Sequence, residues 1–103
     1  MAEVIWAEPA LTDLDAIAEY IALDNPAAAG RLVEAVFDAT ERLHAFPQSG
    51  RTPPELPGSI YREVIGPPCR IFYRASEEGV LILHVMREEQ QLRTYLLDAS
   101  RSR

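Results

Sequence analysis

The chain has no lysine, one cysteine and only two histidines, and each shortage removes a class of function. Cys69 has no second cysteine with which to close an internal disulfide, and with only His44 and His84 beside it there is no CxxC or HxxxH spacing for a metal. No structural metal and no cofactor are expected. Cys69 follows Pro67-Pro68 and opens an apolar run, so it reads as a small core or strand-end residue, with a reactive thiol as the alternative. No stretch approaches the ~20 apolar residues that cross a bilayer. The opening MAEVIWAEPA lacks both the basic start and the long apolar segment of a signal peptide, so a cytoplasmic protein without membrane contact is expected. GxGxxG, P-loop, GxSxG and HExxH patterns are also missing, which leaves no sequence support for nucleotide-cofactor, hydrolase or zinc-protease chemistry.

What is present fits one domain, residues 1–103: 48% of the residues are apolar, enough for a single core. The net charge of −6 is unevenly spread. Residues 1–55 hold ten carboxylates and three arginines (−7), and residues 56–103 hold six and seven (+1). That every basic residue is arginine is explained by codon usage or by a need for planar, multi-donor recognition.

Glu3-Val4-Ile5-Trp6-Ala7 is short and β-prone, and Pro9 suits the first turn of a helix directly after it. Leu11, Leu14, Ile17, Ala18 and Ile21 then recur at helical spacing, with Asp13, Asp15, Glu19 and Asp24 largely off that stripe. Asp24-Asn25-Pro26 stops this helix and starts another, Asn25 or Asp24 capping and Pro26 entering early. Leu32, Val33, Val36, Phe37, Leu43 and Phe46 mark the second helix, and the short connection predicts an antiparallel hairpin. PQSGRTPPELPG, residues 47–58, is too rich in proline and glycine for regular structure. Three β-prone runs follow, Ile60 to Ile65, Cys69 to Tyr73 and Val80 to Met86, with turns between them. The expected fold is α+β, β-αα-βββ: a small antiparallel sheet with an N-terminal helical hairpin packed on it. The last run, apolar on both faces at Val80-Leu81-Ile82-Leu83, belongs in the middle of the sheet. From about residue 88 the tail reads as a short helix, an extra strand segment or partly disordered chain, frayed from Ser100 to Arg103.

Period-two alternation puts Arg70, Phe72 and Arg74 on one face of a strand and Ile71 and Tyr73 on the other. Arg62 and Arg87 join them if the register permits, giving a small cationic site that could grip phosphate and stack a base. The alternative is that these arginines pair with Glu63, Glu77, Glu88 and Glu89 at strand ends. Metal-free RNA cleavage also needs proton carriers, and His84 and Tyr73 are the candidates nearby. A lone histidine in VLILHVM is, alternatively, a hydrogen-bonded core residue. The negative charge of the whole chain opposes polyanion binding, although screening over about 8 Å leaves room for a local basic patch.

The element order, the loop Phe46-Pro47-Gln48-Ser49-Gly50-Arg51, the strand start Tyr61-Arg62, and the segments Arg70-Ile71-Phe72-Tyr73-Arg74 and Ile82-Leu83-His84-Val85-Met86-Arg87 together resemble the ParE/RelE toxin superfamily of type II toxin-antitoxin systems. The likeness spans about residues 3–90. It implies a toxin neutralised by a cognate antitoxin whose C-terminal segment wraps around it; a homodimer or a toxin-antitoxin hetero-oligomer is expected. ParE-like members inhibit DNA gyrase without catalytic residues of their own, which blocks replication and arrests growth. RelE-like members cut mRNA on the ribosome. The absence of lysine and the acidic charge depart from the RelE-like pattern and favour the ParE-like branch, for which no catalytic residue is expected. On the ribonuclease alternative the site would be Arg62, Arg70, Tyr73, Arg74, His84 and Arg87. A third alternative is an inactive homologue that only binds its antitoxin. In each case an exposed apolar groove for the antitoxin is expected.

Overall fold

Proline and asparagine set where the helices begin. In the computed structural model, which describes residues 1–89, α1 (Glu8–Ala22) opens with Pro9 in its first turn and α2 (Pro26–Glu41) with Pro26, whose missing N–H costs nothing there. The Asn25 side chain accepts the Ala28 N–H at 3.1 Å, taking up one of the donors that a helix start leaves unpaired. A 3-10 turn, Arg42–His44, follows α2. The expectations for the tail beyond residue 89 lie outside the described residues.

The strands are β1 (Val4–Trp6), β2 (Tyr61–Gly66), β3 (Cys69–Ser76) and β4 (Gly79–Arg87). The chain therefore runs β-αα-βββ and is α+β, as the sequence predicts. The sheet order is β1-β4-β3-β2, so β4 is central. The sheet is mixed rather than wholly antiparallel: β2–β3 and β3–β4 are antiparallel, but β1 lies parallel to β4. Tight turns force alternation on the last three strands, whereas the helical hairpin between β1 and the rest imposes no such constraint.

The register divides the side chains into two faces. Trp6, Ile82, Tyr73 and Arg62 form one row across the sheet on the helix side. Ile5, Leu81, Arg74 and Tyr61 form a row on the opposite side. A bulge in β4 sets Leu83 and His84 against Phe72. Under the helices, Ala10, Leu14, Leu32, Val36 and Leu43 pack on Val64, Ile71, Ile82 and Val85, all buried. Each large apolar side chain so buried contributes roughly 1.5–3 kcal/mol. Gly66 lets α2 sit directly on the sheet: a Cβ there would lie 2.7 Å from the Ala35 carbonyl oxygen. The opposite face carries a second buried cluster, Tyr61, Phe72, Leu83 and Met86, with Leu56 of the long loop against it. Among the described residues no helix is long and apolar enough to cross a membrane.

The sheet edges are closed by single residues. Arg51, from the loop, pairs with Glu63 on the outer side of β2, with N–H to O distances of 3.0 and 2.7 Å. The N-terminus is tied down by His44, whose carbonyl accepts the Ala2 N–H at 2.7 Å and whose Nδ1 lies 2.9 Å from the Ala2 carbonyl.

Candidate functional site

Arg70 lies at the centre of the arginine constellation on β3. Its guanidinium grips two carboxylates: Nη1 and Nη2 donate to the two oxygens of Glu55, each at 2.7 Å, and Nε donates to Glu63 Oε1 at 2.7 Å. The planar fork suits this arrangement, and the group also stands 4.9 Å from the centre of the Phe72 ring. The Glu63 side chain is fully buried and takes a further N–H from Arg51 at 2.8 Å. Two cations thus hold one buried carboxylate, and Glu55 fastens the proline-rich loop to the sheet. Hydrogen bonding to Glu55, then to Glu63, holds the Arg70 proton more tightly than usual, against the opposing effect of burial.

Arg74 stays on the same face as Arg70 and Phe72, half-buried, beside Ile5 and Leu81 in its row. Tyr73 is fully buried on the helix side, where its hydroxyl accepts the Gly50 N–H at 2.8 Å. Burial raises its pKa, opposed by the Gly50 hydrogen bond and by the nearby Arg62 and Arg42 charges. Arg62, paired with Tyr73 across the strands, donates to the Gly50 carbonyl at 2.7 Å. Gly50 is required there, because an added Cβ would lie 2.6 Å from the Tyr73 hydroxyl and 2.7 Å from the Glu63 carbonyl.

His84 turns away from the arginines. Its Nδ1 lies 2.9 Å from Asp13 Oδ2 on α1, and the same oxygen accepts the Val85 N–H at 3.1 Å. A carboxylate only accepts, so Nδ1 carries the proton in this pair. Arg87 pairs with Cys69 in the register and makes an ion pair with Glu89. Cys69 is fully buried, as a core residue would be, and burial pushes its thiol up to about 11, with Arg87 partly opposing the shift.

The six residues are thus distributed over two faces. Arg70 and Arg74 flank Phe72 on one side, while Arg62, Tyr73 and Arg87 belong to rows on the helix side and His84 is turned to α1. The expected alternation along β3 is observed, but the register does not gather the arginines round one point. Reasoning from sequence missed Asp13, Glu55 and Gly50 as the partners of His84, Arg70 and Tyr73. Glu63 for Arg70 and Glu89 for Arg87 were foreseen, both being among the strand-end carboxylates expected to pair with the arginines.

A family model described as the ParE toxin of the type II toxin-antitoxin system parDE matches residues 4–92. The chain belongs to the ParE toxin family. Toxin RelE2 of Caulobacter vibrioides is 36% identical to it over 86 residues, covering 82% of this chain and 93% of that protein. A putative toxin of Sinorhizobium fredii, Y4kP, is 41% identical over 90 residues, covering 84% and 88%. Among solved structures, the chromosomal ParDE toxin-antitoxin system from P. aeruginosa has a chain superposing with a TM-score of 0.70 at 25% identity, covering 84% of this chain and 96% of that one. This ParE-family chain is therefore a type II toxin of the ParE/RelE superfamily, and membership implies an antitoxin as its partner.

Proposed function

We propose that this toxin acts in the cytoplasm by binding DNA gyrase and blocking replication, with no catalysis of its own, until its antitoxin neutralises it. The observation that carries this reading is the dispersal of the arginines. Cleaving RNA without a metal needs cations and a proton carrier converging on one phosphate. Here Arg70 is occupied by Glu55 and Glu63, Tyr73 is buried against Gly50, and His84 is held by Asp13. The acidic helices add repulsion towards a polyanion. The test is a gyrase assay with the folded toxin, recording both supercoiling and trapped cleaved DNA. Inhibition that the antitoxin reverses supports the proposal; no effect from protein that arrests growth in cells refutes it.

A second reading, ribosome-dependent mRNA cleavage, is favoured by the likeness to a protein named RelE2. On that reading Arg74→Ala or Arg87→Ala abolishes cleavage without unfolding the chain, and full cleavage by both variants rejects the site. Expression without antitoxin separates both readings from an inactive homologue, which would leave growth unchanged.

A further inference from the structure

α1 and β4 run in the same direction, so the tip of the helix meets the end of the strand. Asp13 reaches His84 and Val85, and two turns further on the tip of α1 lies beside Arg87. Between them is a cavity of about 380 Å³ lined by Tyr20, Ile21, Leu23, Asp24, Asn25 and Arg87. Tyr20 is 67% and Leu23 86% exposed, against 47% for Leu11 and 43% for Phe37 elsewhere on the hairpin, so apolar exposure in the helical layer is concentrated at this tip.

The tip is also negative. The last carbonyl groups of α1 carry the negative end of the helix dipole, Glu19 and Asp24 stand in the same stretch, and the last turn holds no basic residue. An apolar surface with negative charge selects an occupant with apolar side chains and positive charge. Residues 90–103, which follow β4, have that chemistry. They hold Leu92, Tyr95, Leu96 and Leu97, and three arginines, Arg93, Arg101 and Arg103, against one carboxylate, Asp98, a side-chain charge of +2. The Glu88 N–H still donates to the Pro68 carbonyl at 2.8 Å, so the chain leaves the sheet at the end of β4, where Arg87 lines the cavity. The five residues from Arg87 to Leu92 span up to about 17 Å when extended, more than the ~10–12 Å width of a helix.

We propose that residues 90–103 of this chain close over the tip of α1, with Leu92, Tyr95 and Leu96 covering Tyr20 and Leu23 and with Arg93 toward Glu19 and Asp24. This holds whichever target the toxin has. A segment attached beside its site is held there at an effective concentration on the order of millimolar, so a contact too small for a separate partner suffices. A second copy, with a net charge of −6, would bring like charge to a negative surface. The tip is therefore shut in the free chain and opens only when residues 90–103 are drawn off it.

Nuclear magnetic resonance of the full chain tests this. The Tyr20 ring and the Leu23 methyls show cross-peaks to the side chains of Leu92, Tyr95 or Leu96, and dilution leaves these unchanged. The amides of Leu23, Asp24 and Asn25 close the end of α1 on the Glu19 and Ile21 carbonyls, and Leu96→Asp speeds their exchange about fivefold or more while the slow amides of β3 stay as they were. Leu23→Arg removes the cross-peaks, whereas Ile60→Arg, at a site that is 59% exposed in the loop before β2, keeps them. Absence of the cross-peaks from the unaltered chain, or unchanged tip amides in the Leu96 variant, overturns the proposal. Cross-peaks that fade on dilution also overturn it and give the tip to a second copy.

Discussion

Arg70→Ala tests whether the central arginine is a structural clasp. The substitution removes both bonds to Glu55 and both to Glu63, the longest of them 3.3 Å. Glu63, with a side chain that is 0% exposed, keeps only the Arg51 contact at 2.8 Å. Removing one partner of a buried pair typically costs ~3–5 kcal/mol because the other charge stays buried. Glu55 is 30% exposed and regains water, and Arg51 still faces Glu63, so the cost here falls at the lower end, about 3 kcal/mol. For a domain of this size that lowers the melting temperature by about 12 °C or more. Calorimetric melting of the purified chain measures it. Arg70→Lys restores the charge without the fork and recovers only part of the loss. Arg70→Met combined with Glu63→Leu melts above Arg70→Met alone, because no buried carboxylate is left without its partner. An Arg70→Ala protein melting within about 4 °C of the wild type, a loss of about 1 kcal/mol or less, refutes the clasp.

Gly50→Ala forces a Cβ to within 2.6 Å of the Tyr73 hydroxyl, an overpacking that costs about 1–3 kcal/mol and lowers the denaturant midpoint. Asp13→Ala leaves Val85 N–H and His84 Nδ1 without their acceptor and costs about 1–3 kcal/mol, most of which Asp13→Asn restores; equal melting of all three proteins contradicts this. Cys69, raised to about 11 in the folded chain against roughly 8.5 when unfolded, favours folding fully below the lower value, and this contribution is lost as pH rises between the two; Cys69→Ala flattens that alkaline decline in an unfolding series. Asn25→Ala removes the cap of α2 and costs about 1 kcal/mol in the same assay.

Local chemistry made most of the fold legible in the sequence. Pro9, Asn25 and Pro26 mark helix starts because a missing N–H and a capping carbonyl act within a few residues. The Gly66-Pro67-Pro68 turn and the alternation from Arg70 to Tyr73 fix a hairpin and its two faces in the same way. The parallel placement of β1 was not legible, since it joins residues 76 positions apart, as Val4 and Val80 are. The site was legible only in part for a related reason. Which arginines share a point in space depends on register, and Asp13 meets His84 across 71 residues of sequence. In the helical pattern Asp13 reads as one more solvent-facing carboxylate. Gly50 likewise reads as a turn glycine, and only the packing of Tyr73 beneath it shows why nothing larger fits.

Charge and edge protection are apportioned between the two layers. Residues 8–41, essentially the helical hairpin, hold eight carboxylates and one arginine, a net −7, whereas β2 to β4, residues 61–87, hold four arginines and three carboxylates, a net +1. The negative charge of the whole chain is therefore a property of the helices. It keeps polyanions from that layer and favours a basic partner there. Two stretches of strand edge are treated differently. At β2 the edge is closed by backbone, Arg51 against Glu63, and this closure is reinforced by the ion pair between the same two side chains. In the part of β4 that runs past the end of β1, the Val85 N–H is met by one carboxylate, that of Asp13. Backbone pairing backed by an ion pair to a buried carboxylate is costly to open, whereas an aspartate that is 34% exposed regains hydration on release, although the Val85 N–H and His84 Nδ1 then lose their acceptor.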